Sequence, residues 1–253
     1  MPAATLARFV LLEARRGGLP WLALGAVAIA VATAAFLSQV AITESRTLQT
    51  AVIAALLRAS AVFLVAVHVV SSTLREMQDK RLEYMLSLPL PRSTQYLGRL
   101  VGHALAAAAL AGAFSLPLLL WAPAGATALW GVSLALECAL VAASALFFSM
   151  TLAQFVPATA ATAGLYLLAR SISAMQAIAA GPLTEPSWPS EAARWVVSGV
   201  AFLLPRLDLV TRTEWLLYGI PSSSTWLAAL AGLLVYGALV LAAGLFDFYL
   251  KSL

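Results

Sequence analysis

Apolar residues in this chain fall in long, nearly unbroken runs separated by short polar joints, a pattern unlike the alternation of a half-buried strand or the single stripe of a surface helix. The runs cover Leu19 to about Ile42, Ala51 to Thr73, Arg99 to Trp121, Thr127 to Met150, Leu152 to about Ile172, and Trp226 to about Tyr249. Each is about 20 residues or longer, the length a helix needs to cross roughly 30 Å of hydrocarbon. Lipid offers no partner to backbone N–H and C=O groups, and the dyad pattern of a barrel strand is missing. The runs are therefore read as six transmembrane helices of a single all-α membrane domain over residues 1–253. A shorter apolar piece, Trp195 to Leu204, reaches only about 15 Å before Pro205 stops it, so it is expected to be re-entrant or interfacial.

Composition agrees with lipid as the solvent. The 253 residues are 62% hydrophobic and 10% charged, against about 25% charged in soluble domains. The net charge of +4 is read as a topological signal and not as a nucleic-acid footprint, because no DNA- or RNA-binding motif accompanies it. With the N-terminus inside, the cytoplasmic cations are Arg8, Arg15, Arg16, Arg75, Lys80, Arg81, Arg92, Arg99 and Lys251, against Arg46, Arg194, Arg206 and Arg212 outside. That asymmetry places both ends in the cytoplasm and the chain in the inner (cytoplasmic) membrane as a multi-pass protein. The first run is long for a cleaved signal and is expected to be a retained anchor. The Arg15-Arg16 pair is taken as its basic flank, since its neighbours do not resemble a twin-arginine signal. Thr5 to Arg16, with Leu6, Phe9, Val10 and Leu12 set against Arg8, Glu13, Arg15 and Arg16, reads as an interfacial helix leading into the first span. The lone cysteine, Cys138, excludes an internal disulfide and a cysteine metal cluster.

Residues 74–92 stand apart. Arg75, Glu76, Asp79, Lys80, Arg81, Glu83 and Arg92 crowd into a chain with little charge elsewhere. Leu74, Met77, Leu82, Met85 and Leu86 fall near i, i+3, i+4 spacing, which predicts a short amphipathic helix over Leu74 to Leu88, stopped by Pro89 and Pro91. Such a helix lies on the membrane surface or docks in a groove of a partner. A solvated loop carrying ordinary positive-inside charges is the plainer alternative.

Besides Arg99 at the edge of span three, six charged or imidazole side chains lie within the spans. Arg58 and Glu137 sit well inside spans two and four, where a charge costs about 2.5–3.5 kcal/mol, so each should face protein or water, with a mutual ion pair expected and a role in substrate passage as the alternative. Arg170 and Asp247 are placed nearer the ends of spans five and six. His68 and His103, on consecutive antiparallel spans, each lie about 8 Å from the cytoplasmic end and can share a depth. They suit interhelical hydrogen bonding or, alternatively, axial ligation of a haem or metal, although no further soft ligand is near them in sequence. Gly98 and Gly102 have the spacing that permits close helix contact.

The stretch Arg75-Glu76, Lys80-Arg81-Leu82-Glu83-Tyr84-Met85-Leu86-Ser87-Leu88-Pro89, Pro91-Arg92-Ser93 and Tyr96-Leu97-Gly98-Arg99-Leu100-Val101-Gly102 resembles the cytoplasmic loop of type-2 ABC exporter permeases. It is most similar to the permeases accompanying nitrous oxide reductase maturation, in which a Gly-His pair also opens the third span, as Gly102-His103 does here. It differs from that pattern at Lys80 and Arg81, where small residues are usual, and at Arg99, where Lys is commoner. The resemblance implies a permease of an ABC exporter with a coupling helix at 74–88, whose Arg75, Glu76, Asp79, Arg81, Leu82, Glu83, Tyr84 and Met85 would contact an ABC ATPase subunit. It also implies a second copy of the chain as homodimer partner, and an outer gate within 195–219 that includes Pro205 and Asp208. Some members work against a periplasmic protein, and some move lipids. The sequence has no Gly-x-x-x-x-Gly-Lys-[Ser/Thr] motif, so the chain itself is expected not to be an enzyme and to hold no cofactor, with ATP and Mg bound by the partner ATPase. An intramembrane enzyme such as a protease or lipid phosphatase is disfavoured, because neither His-Glu-x-x-His nor Gly-x-Ser-x-Gly occurs.

Overall fold

The computed structural model describes residues 2–40, 44–79, 90–180 and 188–250. Nine α-helices are present among the described residues: α1 (Pro2–Arg16), α2 (Leu19–Val40), α3 (Ser45–Gln78), α4 (Arg92–Ser115), α5 (Ala124–Leu152), α6 (Phe155–Ala179), α7 (Trp188–Leu203), α8 (Glu214–Tyr218) and α9 (Ser223–Leu250). Six of them, α2 to α6 and α9, are long and apolar enough to cross a membrane, and the described residues contain no strand. The chain is a multi-pass, all-helical membrane protein.

Proline and left-handed residues punctuate the spans. Pro91 and Pro123 sit in extended backbone as the N-caps of α4 and α5, where the missing N–H costs nothing. Ala153, at φ 51°, reverses the chain between α5 and α6, so two residues suffice for that joint. Pro117 opens a 3-10 turn, Pro117–Leu120, that closes α4. There the Trp121 indole donates to Gln49 Oε1 at 2.8 Å, tying that joint to α3.

Helix α5 is the axis of the bundle. Of its apolar window 67% is buried, against 11% for α2, and it packs on α3, α4, α6 and α9. Trp130, Leu134, Cys138 and Leu146 of α5 are fully enclosed. Both described chain ends lie at one end of the bundle. Helix α1 runs against the start of α4, and the Arg92 guanidinium at the head of α4 donates to the carbonyls of Phe248 (3.2 Å) and Tyr249 (3.1 Å) in the last turn of α9. A cation on the open carbonyls of a helix C-terminus answers both the unmade hydrogen bonds and the dipole.

Three sequence expectations change. Helix α3 continues without a break to Gln78, so Leu74 to Met77 are the last turn of span two and not the start of a separate helix. The remainder of the expected coupling helix, 80–88, lies outside the described residues. Span five runs on to Ala179, seven residues past its expected end at Ile172. The apolar piece expected over Trp195 to Leu204 is part of the longer α7, which leans on α6 and exposes Trp195 and Phe202.

Candidate functional site

Two polar clusters are built into this apolar bundle, one toward each end.

The first joins α3, α5, α6 and the segment after α7. Glu137, fully buried on α5, accepts a hydrogen bond from the Tyr166 hydroxyl at 2.9 Å and lies 3.7 Å from Arg170 Nη1. Tyr166 and Arg170 are one helical turn apart on α6, so both reach the same partner. Arg170 then grips the chain after α7: its Nη1 donates to the carbonyls of Leu207 (2.6 Å) and Val210 (2.8 Å), and its Nη2 to that of Thr211 (3.4 Å). Arg58 Nη1 donates to the same Thr211 carbonyl at 3.1 Å from α3. Thr211 is fully buried with φ 51°, a left-handed conformation unusual for a β-branched residue. That backbone turn is what presents one carbonyl to two guanidinium groups. Two arginines and one carboxylate, tied to each other through the Arg170–Glu137 pair and to backbone carbonyls and the Tyr166 hydroxyl, form a polar plug joining α3, α5, α6 and the segment after α7.

The ion pair expected between Arg58 and Glu137 is replaced by Glu137 with Arg170. The physical reason is the length of α6: with span five ending at Ala179, Arg170 lies about 14 Å inside the helix end, deep enough to meet Glu137. Asp208 stands beside this plug. Its carboxylate accepts from the Ser173 hydroxyl of α6 and lies 3.8 Å from Arg206, and its carbonyl accepts from Arg212 Nε at 3.0 Å. Pro205 is buried at the head of the same segment, and Leu207, Trp215 and Leu216 are buried with it. Pro205 and Asp208 thus lie in one short segment beside the plug, whose members Tyr166 and Thr211 sequence reading missed. The i, i+4 spacing of Tyr166 and Arg170 was the available signal.

The second cluster lies at the end that holds α1. Glu76 Oε2 and Arg99 Nη2 are 3.1 Å apart, with side chains only 6% and 3% exposed, and they bind the last turn of α3 to the second turn of α4. Arg75 and Asp79 face outward, whereas Glu76 and Leu74 face the bundle. Arg81, Leu82, Glu83, Tyr84 and Met85 lie outside the described residues. Deeper in, His68 and His103 meet edge to face, ring centroids 5.9 Å apart, with His103 buried. The shared depth expected from sequence is present. Among the described residues no group of three His, Cys, Asp or Glu side chains that could hold a metal ion forms.

Gly98 and Gly102 seat α1. A β-carbon on Gly102 would come within 2.6 Å of Val10 Cβ and 3.0 Å of the Ala7 carbonyl, and one on Gly98 within 2.9 Å of Leu6 Cβ. The glycine pair is the seat along which α1 runs beside α4, with Leu6 at Gly98 and Val10 at Gly102.

Neither a protein-family model nor any curated protein matches the chain.

Proposed function

We propose that this chain is the transmembrane permease subunit of an ABC exporter, working as a homodimer in the inner membrane with a separate ATPase that binds ATP and Mg. The observation that carries the reading is the charged segment 75–92, with its resemblance to a coupling loop, joining two spans whose roots are fixed to each other by the buried Glu76–Arg99 pair. A segment can transmit a partner's movement into the membrane only if its ends are stiffly attached, because a slack joint absorbs the displacement. Here α1, α4 and the end of α9 are bound to the same block through Gly102 and Arg92. In this reading 80–88 docks on the ATPase, both termini are cytoplasmic, and the segment from Pro205 to Gly219 is the re-entrant outer gate that the Arg58–Glu137–Arg170 plug holds shut.

The test is purification of the tagged chain co-expressed with its neighbouring genes. An ATPase recovered in equal amount, and released by Leu82→Asp or Glu83→Ala, supports the reading; a chain that purifies alone and is indifferent to both changes overturns it. The contact between His68 and His103 favours a second reading, a membrane protein that handles haem or a metal for electron transfer. A Soret band in the purified protein, abolished by His103→Ala, would move the assignment there.

A further inference from the structure

An open groove of about 590 Å³ runs between α1, α2 and α4, separate from both polar clusters. Its walls are hydrocarbon: Leu11 from α1, Leu19 and Ala23 from α2, Ala109 and Phe114 from α4. Alanines hollow it out, since α2 packs mainly on α3 and leaves the side toward α4 unfilled. Arg15, exposed at the end of α1, is the one charged side chain among the described residues that line it, and no ion pair or hydrogen bond engages its guanidinium there.

We propose that this groove is a binding site for one anionic glycerophospholipid, its phosphate on Arg15 and one acyl chain along α2 and α4. The dimensions suit a lipid tail. The lining runs from Leu19 to Val27 on α2 and from Ala106 to Phe114 on α4, about 12 Å each at 1.5 Å per residue. The hydrocarbon of one leaflet is about 15 Å deep. The volume lies within the range of specific small-molecule sites, which are mostly apolar with a few placed polar groups. The charge suits a headgroup. Arg8, Leu11 and Arg15 share one face of α1 at i, i+3, i+7, so a second exposed cation flanks the first. Arginine binds a phosphodiester in a two-pronged geometry, and only an anionic lipid presents that phosphate without a compensating cation such as choline. A helix from a protein partner would have to bring its own anion to Arg15, whereas a phospholipid already carries one at that depth.

The experiment is native mass spectrometry of the detergent-purified, delipidated full chain given equal amounts of dioleoyl phosphatidylglycerol and dioleoyl phosphatidylcholine. Retained phosphatidylglycerol should exceed phosphatidylcholine by about fivefold, the discrimination expected from one arginine at an anionic surface. Arg15→Gln should abolish the preference while leaving some lipid bound, and Ala109→Phe, which fills the groove, should remove adducts of either lipid. Arg194→Gln, an exposed arginine on α7, should change nothing, and excess glycerol 3-phosphate should not displace the lipid. Equal retention of the two lipids by the unmodified chain, or displacement by glycerol 3-phosphate, overturns the proposal. So does binding that survives Ala109→Phe, and so does a dimer that Ala109→Phe breaks in the absence of any lipid adduct, which would give the groove to a second copy.

Discussion

At the scale of single residues, the stability of the Arg58–Glu137–Arg170 plug turns on Arg170. Its guanidinium meets one carboxylate and three carbonyls, so its removal takes the ion-pair partner from buried Glu137, which keeps the Tyr166 hydroxyl, and releases the Leu207 and Val210 carbonyls together. Breaking one side of a buried pair costs on the order of 3 kcal/mol or more. Arg170→Ala should therefore lower the melting temperature in detergent by roughly 6–12 °C for a chain of this size. Arg170→Lys should recover only part of this, because a point charge cannot fork among three acceptors. The double change Glu137→Met with Arg170→Met should melt closer to the unmodified chain than either single change, since an apolar pair leaves no orphaned charge. A single Arg170→Ala variant that melts within about 2 °C of the parent would remove the plug's structural role. Only half of this cluster was legible in the sequence. Arg58 and Glu137 stood out because charges are rare inside apolar runs, but choosing the partner needed the length of α6, and Thr211 carries no local sign that its carbonyl is an acceptor for two cations.

At the scale of elements, the six spans could be read from the sequence because their apolar runs exceed any soluble requirement, while their ends could not. Arg75 and Glu76 read as the opening of a separate amphipathic helix, yet Glu76 is neutralised by Arg99 from α4, and α3 continues five residues past Thr73, to Gln78. Likewise Ser173 and Gln176 suggest an end to span five, but Ser173 is spent on Asp208, and α6 continues past both. Tertiary partners thus moved both boundaries, something no periodicity within one segment reports. The glycine pair at Gly98 and Gly102 gives this scale its own prediction. Gly102→Ala places a methyl group inside contact distance of the α1 backbone and of Val10, and overpacking of that kind typically costs about 1–3 kcal/mol. Helix α1 should lift from α4 while the spans remain folded. Trypsin should then cleave at Arg8 and Arg15 faster in Gly102→Ala than in the parent, with Gly112→Ala, where an added methyl meets open space, as the unchanged control. Equal cleavage rates would show that α1 is held by something other than this seat.

For the whole molecule, the arrangement of charge and the arrangement of helices have to agree on which end faces the cytoplasm. The block formed by α1, the end of α3, the head of α4 and the last turn of α9 carries Arg8, Arg15, Arg16, Arg75 and Arg92, whereas the opposite end, with α7 and α8, carries Arg194, Arg206 and Arg212. The exposed Trp188 and Trp195 on α7 suit an interfacial belt at that second end. The positive-inside bias predicts that the α1 block faces the cytoplasm. This can be decided on a Cys138→Ala background, since the natural thiol is fully buried. A membrane-impermeant maleimide applied to intact cells should label Trp195→Cys and spare Arg16→Cys, and Arg16→Cys should react once the cells are opened. The reverse pattern would do more than invert the topology. It would put the segment from Arg75 to Arg92 on the side where no ATPase operates, and the permease reading would fall with it, whatever the purified chain is found to bind. The lipid groove beside Arg15 would survive that result, because its walls and its cation depend on the packing of α1, α2 and α4 and not on which leaflet they meet.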